Sequence, residues 1–279
     1  MDRLLRGYGA AVYLFLFVPI AVVVVFSFNA GEHVAELTGF SLRWYVEAWT
    51  NPFIVEAFRT SITVALTSAT ISMFLGTAAA LAMPSAPRRL RRTFDVMVNT
   101  ALVVPGIVLG ISLLIFIVTA TNWLNSWIAY LVPSSDLRLG LGFASLVAAH
   151  SVFGTALVTI LVRTRLASMD LRVIEASADL YAPPLRTVCT VTLPLLAPAI
   201  FAGFLLAFTF SFDDFIIAFF TRGRAETLPI YLFASIRRGV SPVVNATASS
   251  LLAMTVTCLA VAAVVFWRRG SNRTEKGIP

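Results

Sequence analysis

Asp213 and Asp214 stand side by side inside an otherwise apolar run, residues 195–220. An ionised aspartate in a lipid-embedded helix costs about 2.5–3.5 kcal/mol on insertion scales, so such a pair needs a use or a partner. Successive residues of an α-helix point about 100° apart, which gives the two carboxylates different neighbours. One arrangement turns one of them to a cavity, where it attracts an ammonium group, while the other pairs with arginine or caps a backbone break. Phe210, Phe212 and Phe215 then offer ring faces to an alkylammonium ligand. In the other arrangement both acids are structural and pair with a second protein or end the helix.

A second stretch, residues 163–194, is polar and basic between apolar runs. Glu175-Ala-Ser-Ala-Asp-Leu-Tyr181 lies in its middle and Leu193-Pro194 at its end. Apolar residues recur at helical spacing around Glu175, and Pro183-Pro184 suits the start of a second short helix over 185–193, where a missing N–H is not needed. Two short helices at an angle form a protrusion with acidic and basic edges, a shape that fits a cleft on a soluble partner.

Catalytic patterns are absent from the chain. It has no Gly-x-Ser-x-Gly, no metal-binding pair of histidines and no Gly-x-x-x-x-Gly-Lys phosphate loop. The expectation is a protein that is not an enzyme and holds no cofactor or metal; if ATP is used, another chain binds it. His150 has no second ligand type near it in sequence and reads as a packing histidine. Cys189 and Cys258 fall in different compartments and read as small apolar residues.

The elements that must position these residues follow from composition. Apolar residues make up 58% and charged residues 13% of 279, and the mean hydropathy is +0.88, values that specify an integral membrane protein. Apolar windows long enough to cross about 30 Å of hydrocarbon as helix occur at 8–28, 58–83, 94–120, 140–162, 195–220 and 243–267. The fold class is therefore an all-α membrane protein with six spans in one domain.

The net charge of +7 does not point to nucleic acid, because its placement alternates between loops. Arg3, Arg6, Arg88, Arg89, Arg91, Arg92, Arg163, Arg165, Arg172, Arg186, Arg268, Arg269, Arg273 and Lys276 share one side, and the positive-inside rule makes that side, with both termini, cytoplasmic. Glu32, Glu36, Glu47, Glu56, Asp136 and Glu226 collect outside, with Arg222, Arg224, Arg237 and Arg238 against the trend. The first run is too long for a signal peptide and reads as an uncleaved helix kinked at Pro19.

Between the spans, residues 40–49 are amphipathic and bring Trp44, Tyr45 and Trp49 to the headgroup layer or to a docking surface. Gly76, Gly106 and Gly110 allow close helix packing, and Pro105-Gly106 either kinks the third span or breaks it. Residues 227–238 lie across the outer interface, where Arg237 and Arg238 meet lipid phosphate or a docking protein, before Ser241-Pro242 opens the last helix.

Glu175-Ala-Ser, Leu180 and Val191-Thr-Leu193-Pro194 resemble the EAA coupling loop of ATP-binding-cassette importer permeases, with matching spacing throughout. Gly39-Phe40, Trp44-Tyr45, Ser211-Phe-Asp-Asp214, Gly239-Val-Ser-Pro242 and Val244-Asn-Ala246 are similar to the spermidine/putrescine permeases of that class. The resemblance implies a type I importer permease with a MetI-like fold in a prokaryotic inner membrane. It also implies a second homologous permease, an ATPase dimer on the cytoplasmic face holding ATP and Mg, and an extracytoplasmic binding protein. Glu175, Ala176, Ser177, Asp179, Leu180, Tyr181, Leu193 and Pro194 would then couple to the ATPase, and Asp213, Asp214, Phe210 and Phe212 would line the substrate pathway.

Two departures accompany the likeness. Tyr181 occupies the motif's glycine position; a side chain in a left-handed turn costs about 1 kcal/mol, which predicts that Ala182-Pro183-Pro184 makes the bend differently. Val243 replaces an acid in the last element and removes one outer charge. The cargo expected is a polyamine or related cation, with an aminophosphonate or ferric ion as alternatives in the same class. An ion-coupled secondary transporter would need acids distributed over several spans and internal repeats, and a non-transporting scaffold leaves the aspartates without use.

Overall fold

The computed structural model describes residues 2–32, 36–132, 138–170, 172–239 and 241–257. Lipid supplies no hydrogen bonds, so an apolar chain must satisfy its own backbone, and every regular element among the described residues is helical apart from one isolated bridge between Asn29 and Phe40. Five of these helices are long and apolar enough to span a membrane: Leu4–Ser27, Pro52–Ser85, Gly106–Leu131, Phe143–Ala167 and Pro184–Asp213. The sixth expected span is helical over 242–257, with Pro242 in its first turn. Residues 258–267, Cys258, Asp136 and the basic residues after 257 lie outside the described residues.

Two units divide the chain. In the first, from residues 1–55 and 231–279, helix α1 (Asp2–Ser27) leads into a turn closed by α2 (Arg43–Thr50). Trp44 is buried and its indole N–H donates to the Asn29 carbonyl at 2.7 Å. Tyr45 shares a 2.6 Å hydrogen bond with Ser27, and Trp49 donates to Ser250 at 3.1 Å. These aromatics join elements within the first unit, Trp44 through backbone and Tyr45 and Trp49 through serine hydroxyls, beyond the headgroup contact their amphipathic pattern suggested.

The second unit, residues 56–230, is built around α6 (Phe143–Ala167). It packs on α9 (Leu193–Asp213) and α3 (Pro52–Ala82) through Val158, Val162, Leu196, Ala207, Ala69 and Ala80. Small residues set the closeness: a Cβ on Gly154 would stand 2.4 Å from Ser72 Oγ and 3.3 Å from Ala207 Cβ, and one on Gly76 would meet Val158 at 2.7 Å. Interhelical hydrogen bonds join the same surfaces, Ser72 to the Ser151 carbonyl at 3.2 Å and Thr159 to the Gly76 carbonyl at 3.4 Å.

Two expected spans are broken. The third becomes α4 (Arg88–Val103) and α5 (Gly106–Leu131), separated by extended Val104 and by Pro105. Proline disfavours helical geometry in the residue before it and lacks an N–H for the ladder, so the break falls there and the apolar stretch begins at Gly106, twelve residues later than the expected start at 94. The fifth stops at Asp213 and resumes as α10 (Ile216–Thr221). Gly110 lets α5 lie against α10, since its Cβ would be 2.8 Å from Phe220 and 3.5 Å from the Ile216 carbonyl. An Arg163–Asp95 ion pair fastens α6 to α4 at the opposite end.

Candidate coupling segment and acidic groove

Polar residues 168–183 contain α7 (Arg172–Asp179), which buries no side chain. It ends in a hydrogen-bonded cap: Tyr181 N–H donates to the Ala178 carbonyl at 2.8 Å and Ala182 N–H to Ser177 at 3.2 Å. This is the Schellman pattern, which requires a left-handed residue at the position Tyr181 holds. Tyr181 adopts it, with φ +57°. The expectation that Ala182-Pro183-Pro184 would make the bend differently is therefore corrected: the tyrosine takes the glycine's conformation, two recovered carbonyl bonds offset the strain, and Pro183 prevents the helix from continuing.

Ser177 and Thr187 hydroxyls, 2.9 Å apart, tie α7 to α8 (Pro184–Thr187). The second short helix is not separate. A π turn over Val188–Thr192, closed by Leu193 N–H to the Val188 carbonyl, carries α8 into α9. The wider turn gives Pro194 room where an α-helical ladder would demand its missing N–H. Glu175, Ala176 and Asp179 lie exposed on α7, and Leu193-Pro194 opens α9. The bend presents Tyr181, Leu180 and Leu185 at 95%, 82% and 81% exposure.

At the far end of α9 the two aspartates part. Asp214 leaves the helix in an extended conformation, and its Oδ2 accepts the Ala218 N–H at 2.8 Å. It therefore satisfies one of the free donors in the first turn of α10, whose dipole favours a carboxylate there. Its other neighbour is not arginine: His150 Nε2 lies 3.5 Å from the same oxygen. Asp213 is exposed, in an open groove of about 510 Å³ that Asp214 also lines, together with Leu157, Thr209, Phe210, Phe215 and Ile216. Phe210 also stacks on Phe153, centroids 4.1 Å apart. Phe212 does not line this groove and packs with Phe208 and Phe58; the 100° step along α9 sends it to another face.

Sequence reasoning missed His150 as a neighbour of the pair. Its ring is 1% exposed, and Nδ1 shares a 2.6 Å hydrogen bond with Ser211, which in turn is bonded to Ser68 at 3.0 Å. The available signal was chemical: Asp214 in an apolar run needs a donor, and His150 is a rare one inside a span. Among the described residues no group of three or more His, Cys, Asp or Glu side chains is placed to hold a metal.

The sequence profile described as "Binding-protein-dependent transport system inner membrane component" matches residues 72–269, which include both the coupling segment and the acid pair. The chain belongs to this family. It is a multi-pass inner-membrane permease component of an ATP-binding-cassette importer. Among its relatives, the putrescine transport system permease protein PotI of Escherichia coli K12 is 37% identical over 242 residues, covering 86% of this chain and 82% of PotI. The spermidine/putrescine transport system permease protein PotC of the same strain is 33% identical over 258 residues, covering 92% and 91%. The permease fold is shared with a bacterial ABC transporter for the acidic polysaccharide alginate, TM-score 0.71 at 15% identity over 98% of this chain and 96% of that one. The MetNI methionine transporter in an inward-facing form gives 0.56 at 19% identity, over 79% and 98%.

Proposed function

We propose that this permease component passes a polyamine or a closely related organic cation, with Asp213 as its carboxylate contact. The observation that carries the reading is the exposure of Asp213 in a largely apolar groove beside Phe210 and Phe215, where the Asp214 side chain, which shares the lining, is only 10% exposed; the carboxylate attracts an ammonium group and the aromatic faces add to it. The substrates for which PotI and PotC are named, putrescine and spermidine, support the same chemistry. Asp214 serves the backbone break instead. A second, homologous permease forms the other half of the pathway, and a binding protein delivers cargo from outside.

On the cytoplasmic side, where both termini lie, the segment 175–194 docks on an ATPase dimer. ATP and Mg are held there and no bond chemistry occurs in this chain. Glu175, Ala176, Ser177, Asp179, Leu180 and Tyr181 form the contact, with Leu193 and Pro194 carrying it into α9.

Asp213→Asn in the assembled importer is expected to lower putrescine uptake by about tenfold, since one charge-assisted contact contributes about 1.5–3 kcal/mol, while insertion stays normal. Equal uptake by native and Asp213→Asn complexes sinks the cation reading; loss of assembly with Asp214→Asn alone supports the division of roles. Tyr181→Gly is expected to change stability by no more than about 1 kcal/mol, because relief of left-handed strain is offset by greater freedom when unfolded. Co-purification of the ATPase should nonetheless weaken, and undiminished recovery would show that the ring is not a contact.

A further inference from the structure

The break between α9 and α10 is held by more than Asp214. His150 Nε2 is buried without a hydrogen-bond partner and lies 3.5 Å from Asp214 Oδ2. A chain of hydroxyls backs the ring. Ser68 Oγ donates to Ser211 Oγ at 3.0 Å, shorter than its 3.3 Å approach to the Ala65 carbonyl. Ser211 Oγ, which accepts from Ser68, also lies 2.6 Å from His150 Nδ1 and has one proton to give it. Where Ser211 gives that proton to Nδ1, a neutral imidazole carries its own N–H on Nε2, the nitrogen nearer the carboxylate. The directed chain runs from α3 through α9 and α6 to the break.

We propose that His150 is a positioning residue of the transport groove: it keeps the Asp214 carboxylate over α10, its side chain 10% exposed, so that the exposed Asp213 is the acid that meets the cargo. This rests on the reading of Asp213 given above. Freed of His150, the Asp214 carboxylate can turn further into the groove whose lining it already shares. Two carboxylates would then grip a cation that has to be released in every cycle.

The test uses the assembled importer in proteoliposomes with saturating binding protein and putrescine, reading uptake per ATP hydrolysed. A merely structural defect lowers both together and leaves that ratio alone. His150→Leu is expected to lower the ratio about tenfold, in keeping with the cost of a misplacement near 1 Å or less. His150→Gln, whose amide can accept from Ser211 and donate to Asp214, should restore most of it. An unchanged ratio in His150→Leu, or a glutamine variant as impaired as leucine, overturns the proposal. Should His150→Leu fail to assemble, Ser211→Ala decides: a lowered ratio supports the chain and a native one refutes it. Asp213→Asn is run alongside. If it transports normally, the cation reading itself falls; if it is impaired while His150→Leu keeps its ratio, only the positioning role is lost.

Discussion

Glu175→Arg is expected to abolish ATP-driven uptake while the permease still inserts and folds. α7 buries nothing, so the cost within the chain is limited to an unfavourable charge in the first turn of a short helix, roughly 0.3–1 kcal/mol. The cost across a docked surface is larger. A site formed around a carboxylate would meet a guanidinium, and like-charge or mismatched contacts at an interface cost several kcal/mol, which at about 1.4 kcal/mol per factor of ten exceeds a hundredfold loss of association. Co-purification of the ATPase and uptake in vesicles measure it. Native values of both would remove Glu175 from the coupling surface.

Gly154→Leu should have the largest effect on the fold. Three helices cross at this glycine, and even the first side-chain carbon would stand 2.4 Å from Ser72 Oγ and 3.3 Å from Ala207 Cβ. Ser72 cannot move aside without loosening its bond to the Ser151 carbonyl. Overpacking by a full leucine costs about 3 kcal/mol or more, and at about 2–4 °C per kcal/mol the melting temperature of the purified complex should fall by about 6–12 °C. Gly154→Ala should show a smaller drop in the same direction. A melting temperature within about 2 °C of native for the leucine variant would mean the crossing is looser than drawn.

Hydropathy made the helical membrane class legible, because lipid leaves the backbone few other choices. It was less informative about where helices stop. Val103, Val104 and Pro105 continue an apolar run, so only the backbone preference of a residue before proline marked the break. Asp213 and Asp214 were visible as an anomaly, but their separate fates depend on a cap made four residues later at Ala218 and on a ring supplied by α6. His150 and Asp214 are far apart in sequence and become neighbours only when α6 and α9 pack. Tyr181 failed for a different reason: steric cost was weighed without the two carbonyl bonds that the left-handed turn recovers.

The uninterrupted run Pro184–Asp213 also has a mechanical meaning. At about 1.5 Å per residue it is a strut of roughly 45 Å from the exposed bend to the groove. Its ladder is weakened at the π turn over Val188–Thr192 and at Pro198, both in the half nearer the bend. From about residue 199 onward the rod is stiff. Any flexing is absorbed close to the exposed bend, and what reaches Asp213 is a swing of the rest of the rod, with the carboxylate at its tip travelling farthest.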